Sequence, residues 1–551
     1  MKSSLENGRK FLGKQTISQG ALTIALFTII SGILGLLRDR FLASRFLVTK
    51  AGDLHQSLDV YYAAFYIPDT VYYLIFLGAL AAAFIPVFSS YISKKEEKEA
   101  FYLANNFLNL ALIALFIVST IIFIFAPYLI KIIAPGFEPE KQRLTVSLVR
   151  IMLFSPLFFG ISNTAGAILN SYKRFTLFSL APCFYNLGII IMTVLFSRKW
   201  GIYAPAAGVL VGAFSHMLIQ VVGAYHLGFR WRPIADIKHL AVRKVFKLML
   251  PRAAALGVER INRWVYVVIA STLATGSVSI INLSENLQNF PVSFFSIPLA
   301  TAVFPFLAEA ASLQKHEDFN RNLGKGIRLI LYLMIPVSIL VFLLRVQIVR
   351  IILGAGHFGW TDTKLTGAAL GIFAISLAAQ GVIPLLARSF YALQDTATPF
   401  KLAIWTIATN VLGSWIFTHS SLVEPILKIL KVKNGFDGRI VGLPLAFSIS
   451  SFMYAYFLYI KLKKKTNLVD HEFRPTIIKI IFASLIMGIL VQLVKHYFGT
   501  WVDLDKTIFV LLQFIISAVL GVLVYFALTS YLKMSEAHRF WGYLIRKKNI
   551  R

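Results

Sequence analysis

The sequence predicts an all-α integral membrane protein of about fourteen transmembrane helices, and three observations predict it. Hydrophobic residues make up 57% of the 551 and the mean hydropathy is +0.72, whereas a soluble globular chain is about 45–50% apolar. The apolar residues fall in blocks of roughly 20, the length that crosses a hydrocarbon core as a helix. The basic residues sit mainly between those blocks.

The expected spans are 17–37, 60–90, 105–133, 144–170, 176–197, 202–226, 246–273, 277–311, 326–353, 364–392, 400–418, 441–461, 476–495 and 507–532. The second and eighth are long and less purely apolar than lipid-facing helices, which suits helices that line a cavity. Residues 1–19 are polar and basic, and the run Ala21–Leu37 is too long for a signal core, so it is expected to stay as the first span.

Lys and Arg outnumber Asp and Glu by 55 to 25. A basic balance can mean nucleic acid, but charge collected between apolar blocks fits the bias of cytoplasmic loops instead. Most Lys and Arg fall in segments that a cytoplasmic N-terminus would place inside, including Lys94/Lys95/Lys98, Arg230/Arg232/Lys238 and Lys463/Lys464/Lys465. Both termini are therefore expected to be cytoplasmic, with an even helix count. The single cysteine, Cys183, excludes an intrachain disulfide.

A weak internal repeat follows the same count. Leu80–Pro86 compares with Leu299–Pro305, and Leu169 and Asn186 compare with Leu393 and Asn410. These offsets lay the second and fourth spans over the eighth and tenth, as duplication of a six-helix unit would. An even unit keeps its orientation, so the two lobes would form a parallel pseudo-repeat with a site between them. The expected division is 1–226 for the first lobe, 227–245 for a cytoplasmic connector, 246–461 for the second lobe and 462–551 for two further helices with a basic tail. There is no Walker A loop, HExxH, paired-cysteine metal pattern or nucleophile elbow. An ATP-driven pump in a single chain is thereby excluded.

Three segments carry a resemblance. They are Leu34-Gly35-Leu36-Leu37-Arg38-Asp39, Asp59-Val60-Tyr61-Tyr62-Ala63-Ala64-Phe65-Tyr66-Ile67-Pro68 and Gly78-Ala79-Leu80-Ala81-Ala82-Ala83-Phe84-Ile85-Pro86. In order and spacing they resemble the MurJ/MviN family, as do Phe290-Pro291 and Phe390–Pro399. The resemblance implies two six-helix lobes around a central cavity, two C-terminal helices beside a groove for a lipid tail, and membership of the MOP exporter superfamily. It implies a transporter and no enzyme: a lipid II flippase of the bacterial cytoplasmic (inner) membrane. The implied substrate is an undecaprenyl-diphosphate-linked peptidoglycan precursor, with membrane lipids around it and cell-wall synthesis proteins as further partners. No cofactor, metal or nucleic acid is expected; the membrane potential or a monovalent cation is the candidate energy source.

The chain departs from the family pattern where arginines are usual, with Gly32, Tyr72-Tyr73 and Asn286 in those places. Arg38, Asp39 and Asp59 carry over directly, and Glu285 stands for an aspartate. An intramembrane charge costs roughly 2.5–3.5 kcal/mol on insertion scales, so such residues default to function. For Arg38-Asp39 a helix-end ion pair is the competing reading.

The seventh span offers replacements. Arg252, Arg260 and Arg263 lie at i, i+8 and i+11, within about 80° of one another on a helix. Glu259 flanks them and could neutralise Arg260. Arg260 and Arg263 are the expected substitutes for the missing phosphate ligands, since guanidinium grips phosphate through two parallel hydrogen bonds. Asp69, beside Pro68, is a candidate either for a coupling cation or for pairing with an arginine. Two alternatives to the flippase stay open: an exporter of another lipid-linked glycan or small molecule, and a membrane scaffold that transports nothing.

Overall fold

The computed structural model describes residues 17–50, 52–74, 84–429, 437–467, 470, 472–501 and 506–537. Among them the chain is helical, and the only extended pairing is an isolated bridge between Leu47 and Ser57. The chain divides into two compact units, Met1–Ser279 with Ala355–Phe358, and Ile280–Gly354 with Gly359–Arg551.

The first unit holds α1 (Ile17–Arg45), α2 (Leu58–Tyr72), α3 (Ile85–Ser93), α4 (Glu97–Ile133), α5 (Pro139–Met152), α6 (Ser155–Ser171), α7 (Phe175–Trp200), α8 (Tyr203–His226) and α9 (Leu240–Ser271). Within lipid, apolar side chains gain nothing by meeting each other, so small residues that let backbones approach drive helix pairing. The α7–α8 contact shows this: a Cβ on Gly188 would sit 2.5 Å from Gly212 Cα, and one on Gly208 would sit 2.8 Å from Ile189 Cα. Phe84, Phe88 and Phe107 fill the core beside α4, with ring centroids 5.4 Å and 5.0 Å from Phe84.

Three asparagines on α4 hold a strap. Asn106 donates to Asp236 O and accepts from Asp236 N, both at 2.8 Å. Asn105 pairs with Arg230 O and Arg232 N, and Asn109 with Arg232 O, Ile234 O and the Trp231 indole. Six backbone groups within residues 230–236 are thus satisfied by side chains, in place of a strand partner.

The second unit holds α10 (Ser277–Pro291, whose first turn belongs to the first unit), a π-helical turn at Val292–Ser296, α11 (Ile297–Ser312), α12 (His316–Leu353), α13 (Trp360–Ile375), α14 (Leu377–Ala392), α15 (Ala397–His419), α16 (Glu424–Ile429), α17 (Gly442–Thr466), α18 (Phe473–Trp501) and α19 (Thr507–Tyr531). The π turn follows Pro291, which lacks the N–H of a regular ladder. α13 and α14 are bent by 48° at the break between them. The bend frees carbonyls that lipid cannot satisfy. Serines answer them: Ser448 donates to Ile372 O, Ser376 to Phe373 O and Ser338 to Ala374 O.

α18 and α19 pack on α12. Tyr525 donates to Tyr332 O at 2.7 Å, and Gln347 to Gln513 Oε1 at 2.8 Å. Buried Arg328 of α12 meets Asp470, Glu472 and Glu536.

Among the described residues, eleven helices are long and apolar enough to cross a membrane, or twelve if the bent pair is one span. Of the fourteen expected spans, the second runs partly through residues outside those described. The seventh is helical as α9 but carries too many charges to pass by composition. The two compact units and the expected lobes divide the chain in different ways. The boundary falls at Ser279, after α9, since α9 is bonded to α2. The last two helices belong to the second unit, since they pack on α12.

Candidate functional site

Asp59 opens α2 and is 2% exposed. Its Oδ1 accepts from Ser279 N at 2.9 Å and Ser279 Oγ at 2.7 Å. Its Oδ2 accepts from Gly276 N at 2.8 Å and Lys141 Nζ at 3.0 Å. Four donors occupy the carboxylate, and one of them is a buried ammonium. This geometry is that of a clamp joining α2, α5 and the turn before α10. Gly276 is required there: its φ is +94°, and a Cβ would lie 2.5 Å from Val48 O.

Arg38 lies seven residues, about two turns, before the end of α1 at Arg45. Its Nε and Nη2 donate to Asp39 Oδ1 at 3.1 and 2.9 Å, and its Nη1 to Asn186 Oδ1 at 3.2 Å. Asn186 in turn donates to Ser31 O and Oγ, which fixes its amide. Asp39 is buried, while Arg38 keeps 20% of its side chain exposed. The pair is held from another helix, unlike a freely snorkelling helix end.

α9 meets α2 through a second charged pair. Arg260 Nη1 stands 2.5 Å from Asp69 Oδ2. The guanidinium carbon lies 3.2 Å from the centroid of the Tyr73 ring. One turn further along, Trp264 Nε1 donates to Thr70 Oγ1 at 2.8 Å. Beside them Asn163 donates to the Tyr72 hydroxyl at 3.1 Å. The tyrosines that stand where the family pattern has arginines therefore serve as an aromatic face for an arginine from α9 and as a hydrogen-bond acceptor.

Of the other expected site residues, Arg263 is half-buried on α9 and engaged, and Glu285 is half-buried and engaged on α10 in the second unit. The side chains of Arg252 and Glu259 lie outside the described residues. Arg260 has Asp69 as its carboxylate, and the sequence-based pairing with Glu259 is not needed to account for its charge. Sequence reasoning missed Lys141, Thr70 and Trp264, and noted Tyr73 only as standing in place of an arginine. The available signals were an ammonium next to a span start and polar side chains on the second span. Among the described residues no group of three His, Cys, Asp or Glu could hold a metal ion.

A family model described as "Lipid II flippase MurJ" matches residues 55–513, from the turn before α2 into α19. The chain belongs to the MurJ family. A MurJ relative from Burkholderia cenocepacia, named "Lipid II flippase MurJ", is 28% identical over 404 residues, covering 72% of this chain and 77% of its own. A solved MurJ structure in an inward closed conformation has a TM-score of 0.75 at 24% identity, covering 93% of this chain and 98% of that one. An inward-facing multidrug transporter of the MATE family and MOP superfamily follows at a TM-score of 0.65 and 13% identity, covering 81% and 98%. The all-helical, multi-pass MurJ fold is thus shared along nearly the whole chain. As a MurJ family member the chain is a membrane transporter and no enzyme.

Proposed function

We propose that this chain carries lipid II, an undecaprenyl-diphosphate-linked peptidoglycan precursor, from the inner to the outer leaflet of the bacterial cytoplasmic membrane by alternating access. The observation that carries this is the match to the flippase family model over residues 55–513. The polar headgroup crosses through the protein while the polyprenyl tail stays in lipid. Arg38, Arg260 and Arg263 supply cations for the diphosphate, which would otherwise cross a low-dielectric interior uncompensated. Both termini lie in the cytoplasm, and cell-wall synthesis proteins that make or use the precursor are the natural partners.

No bond is made or broken, so the energy is electrical or ionic. The membrane potential supplies about 2.3 kcal/mol per charge per 100 mV. An inside-negative potential favours outward passage of the anionic headgroup, or inward return of a carrier loaded with a monovalent cation.

The test is complementation of a flippase-depleted bacterium, with precursor accessibility on the outer leaflet as readout. Restored growth and accessibility are expected. Arg260→Ala and Arg263→Ala should each reduce accessibility, the double change more, and Lys at either position should restore only part. A well-inserted chain that restores neither growth nor accessibility overturns the reading. The replacement of family arginines by Gly32, Tyr72 and Asn286 favours one alternative, export of a different lipid-linked glycan, which the same assay run with other precursors would reveal.

A further inference from the structure

One guanidinium of the first unit is buried beneath a carboxylate. Arg260 is 5% exposed, and Asp69, which touches it, keeps 23% of its side chain exposed. The Tyr73 ring covers a face of the guanidinium. The Trp264–Thr70 bond pins α9 to α2 one turn away, so the place of Arg260 does not depend on its ion pair alone. Of the two charged partners, Asp69 is the more exposed.

A buried guanidinium left without an anion is costly, since removing one partner of a buried pair costs about 3–5 kcal/mol. The site must consequently hold an anion in every state. A guanidinium offers the same planar array of donors to a carboxylate and to a phosphate. We propose that Asp69 is a displaceable ligand that fills the Arg260 anion site when the transporter is empty, and that a diphosphate headgroup loads by taking its place. Asp69 then sets specificity as well as occupancy. An incoming monoanionic carboxylate has no advantage over the tethered one and is rejected, whereas a diphosphate brings more charge and more acceptor oxygens. Tyr73 and the Trp264–Thr70 bond hold the guanidinium in place during the exchange. The identity of the anion rests on the lipid-diphosphate function above; the exchange itself does not.

The experiment uses the full chain in lipid nanodiscs, with inorganic pyrophosphate and undecaprenyl diphosphate as probes. Asp69→Asn removes the competitor and should tighten pyrophosphate binding about ten-fold or more; Arg260→Ala should abolish it. In the unmodified protein, pyrophosphate should raise labelling of the Asp69 carboxyl by a water-soluble carbodiimide, read by mass spectrometry, which needs no variant to fold. Unchanged or weakened pyrophosphate binding in folded Asp69→Asn, or labelling of Asp69 that pyrophosphate leaves unchanged or suppresses, overturns the exchange. If pyrophosphate behaves as expected but undecaprenyl diphosphate binds no better than undecaprenol, the exchange stands and the lipid-diphosphate function falls.

Discussion

Lys141 Nζ stands 3.0 Å from Asp59 Oδ2, with both side chains buried, and the same carboxylate accepts from the backbone at Gly276 and Ser279. Asp59→Ala leaves an ammonium and two backbone donors without their acceptor. The expected loss is about 3–5 kcal/mol, the scale for breaking a buried pair. Thermal unfolding of the purified protein should show it, and Lys141→Met added to Asp59→Asn should recover part. If Asp59→Ala unfolds like the parent yet fails to transport, the carboxylate acts on substrate.

Arg38 is held by Asp39 and Asn186 rather than free at a helix end. Arg38→Ala should abolish complementation. Because it also strands a buried Asp39, its membrane level should be compared with that of Arg38→Ala/Asp39→Asn, which relieves the lone carboxylate. Normal complementation by Arg38→Ala would reduce Arg38 to a structural ion pair.

Asp395, in the turn after α14, accepts from Lys465 Nζ at 2.7 Å and from Thr398 N and Oγ1. The Lys465 bond, then the Thr398 N–H, lower its pKa to about 2, below the ordinary value of about 3.9. A depressed carboxylate stabilises the fold above the unfolded value, and that contribution disappears as pH falls through the folded value. Asp395→Asn should therefore lower the unfolding temperature at pH 5–7, and the gap to the parent should close between about pH 4 and pH 2. A gap that widens on acidification would reverse the assignment.

The distribution of Lys and Arg over the loops predicts cytoplasmic termini. Reporter fusions after Arg551 should read cytoplasmic, and those within residues 421–440 should read external. The opposite pair of results would invert the orientation of every span.

The helices were legible because hydropathy is a local property: each apolar block reports its own span without its neighbours. α9 is harder to read this way, since its charges are unlike those of a lipid-facing span. Pairings were less legible. Asp69 and Arg260 were each conspicuous as intramembrane charges, but 191 residues separate them, and the nearer Glu259 was the obvious partner to consider. Asp59 drew notice through its family motif, which carries no information about the four donors converging on it from α5 and from residues 276–279. The asparagines of α4 stood in plain view within a span. What they bind is main chain, and main chain leaves no residue signature to match against.

That arrangement also limits reach. Residues 230–236 are fastened to α4, and Asn106 grips Asp236 by both its N–H and its C=O. Only residues 237–239 then separate the last anchored point from the start of α9 at Leu240. At 3.3–3.6 Å per residue, that leash pays out to about 14 Å at full extension. The head of α9 can swing within that radius of its mooring on α4, and any larger excursion must first unfasten Asn106. A three-residue cord thereby bounds how far the head of α9 could part from α4.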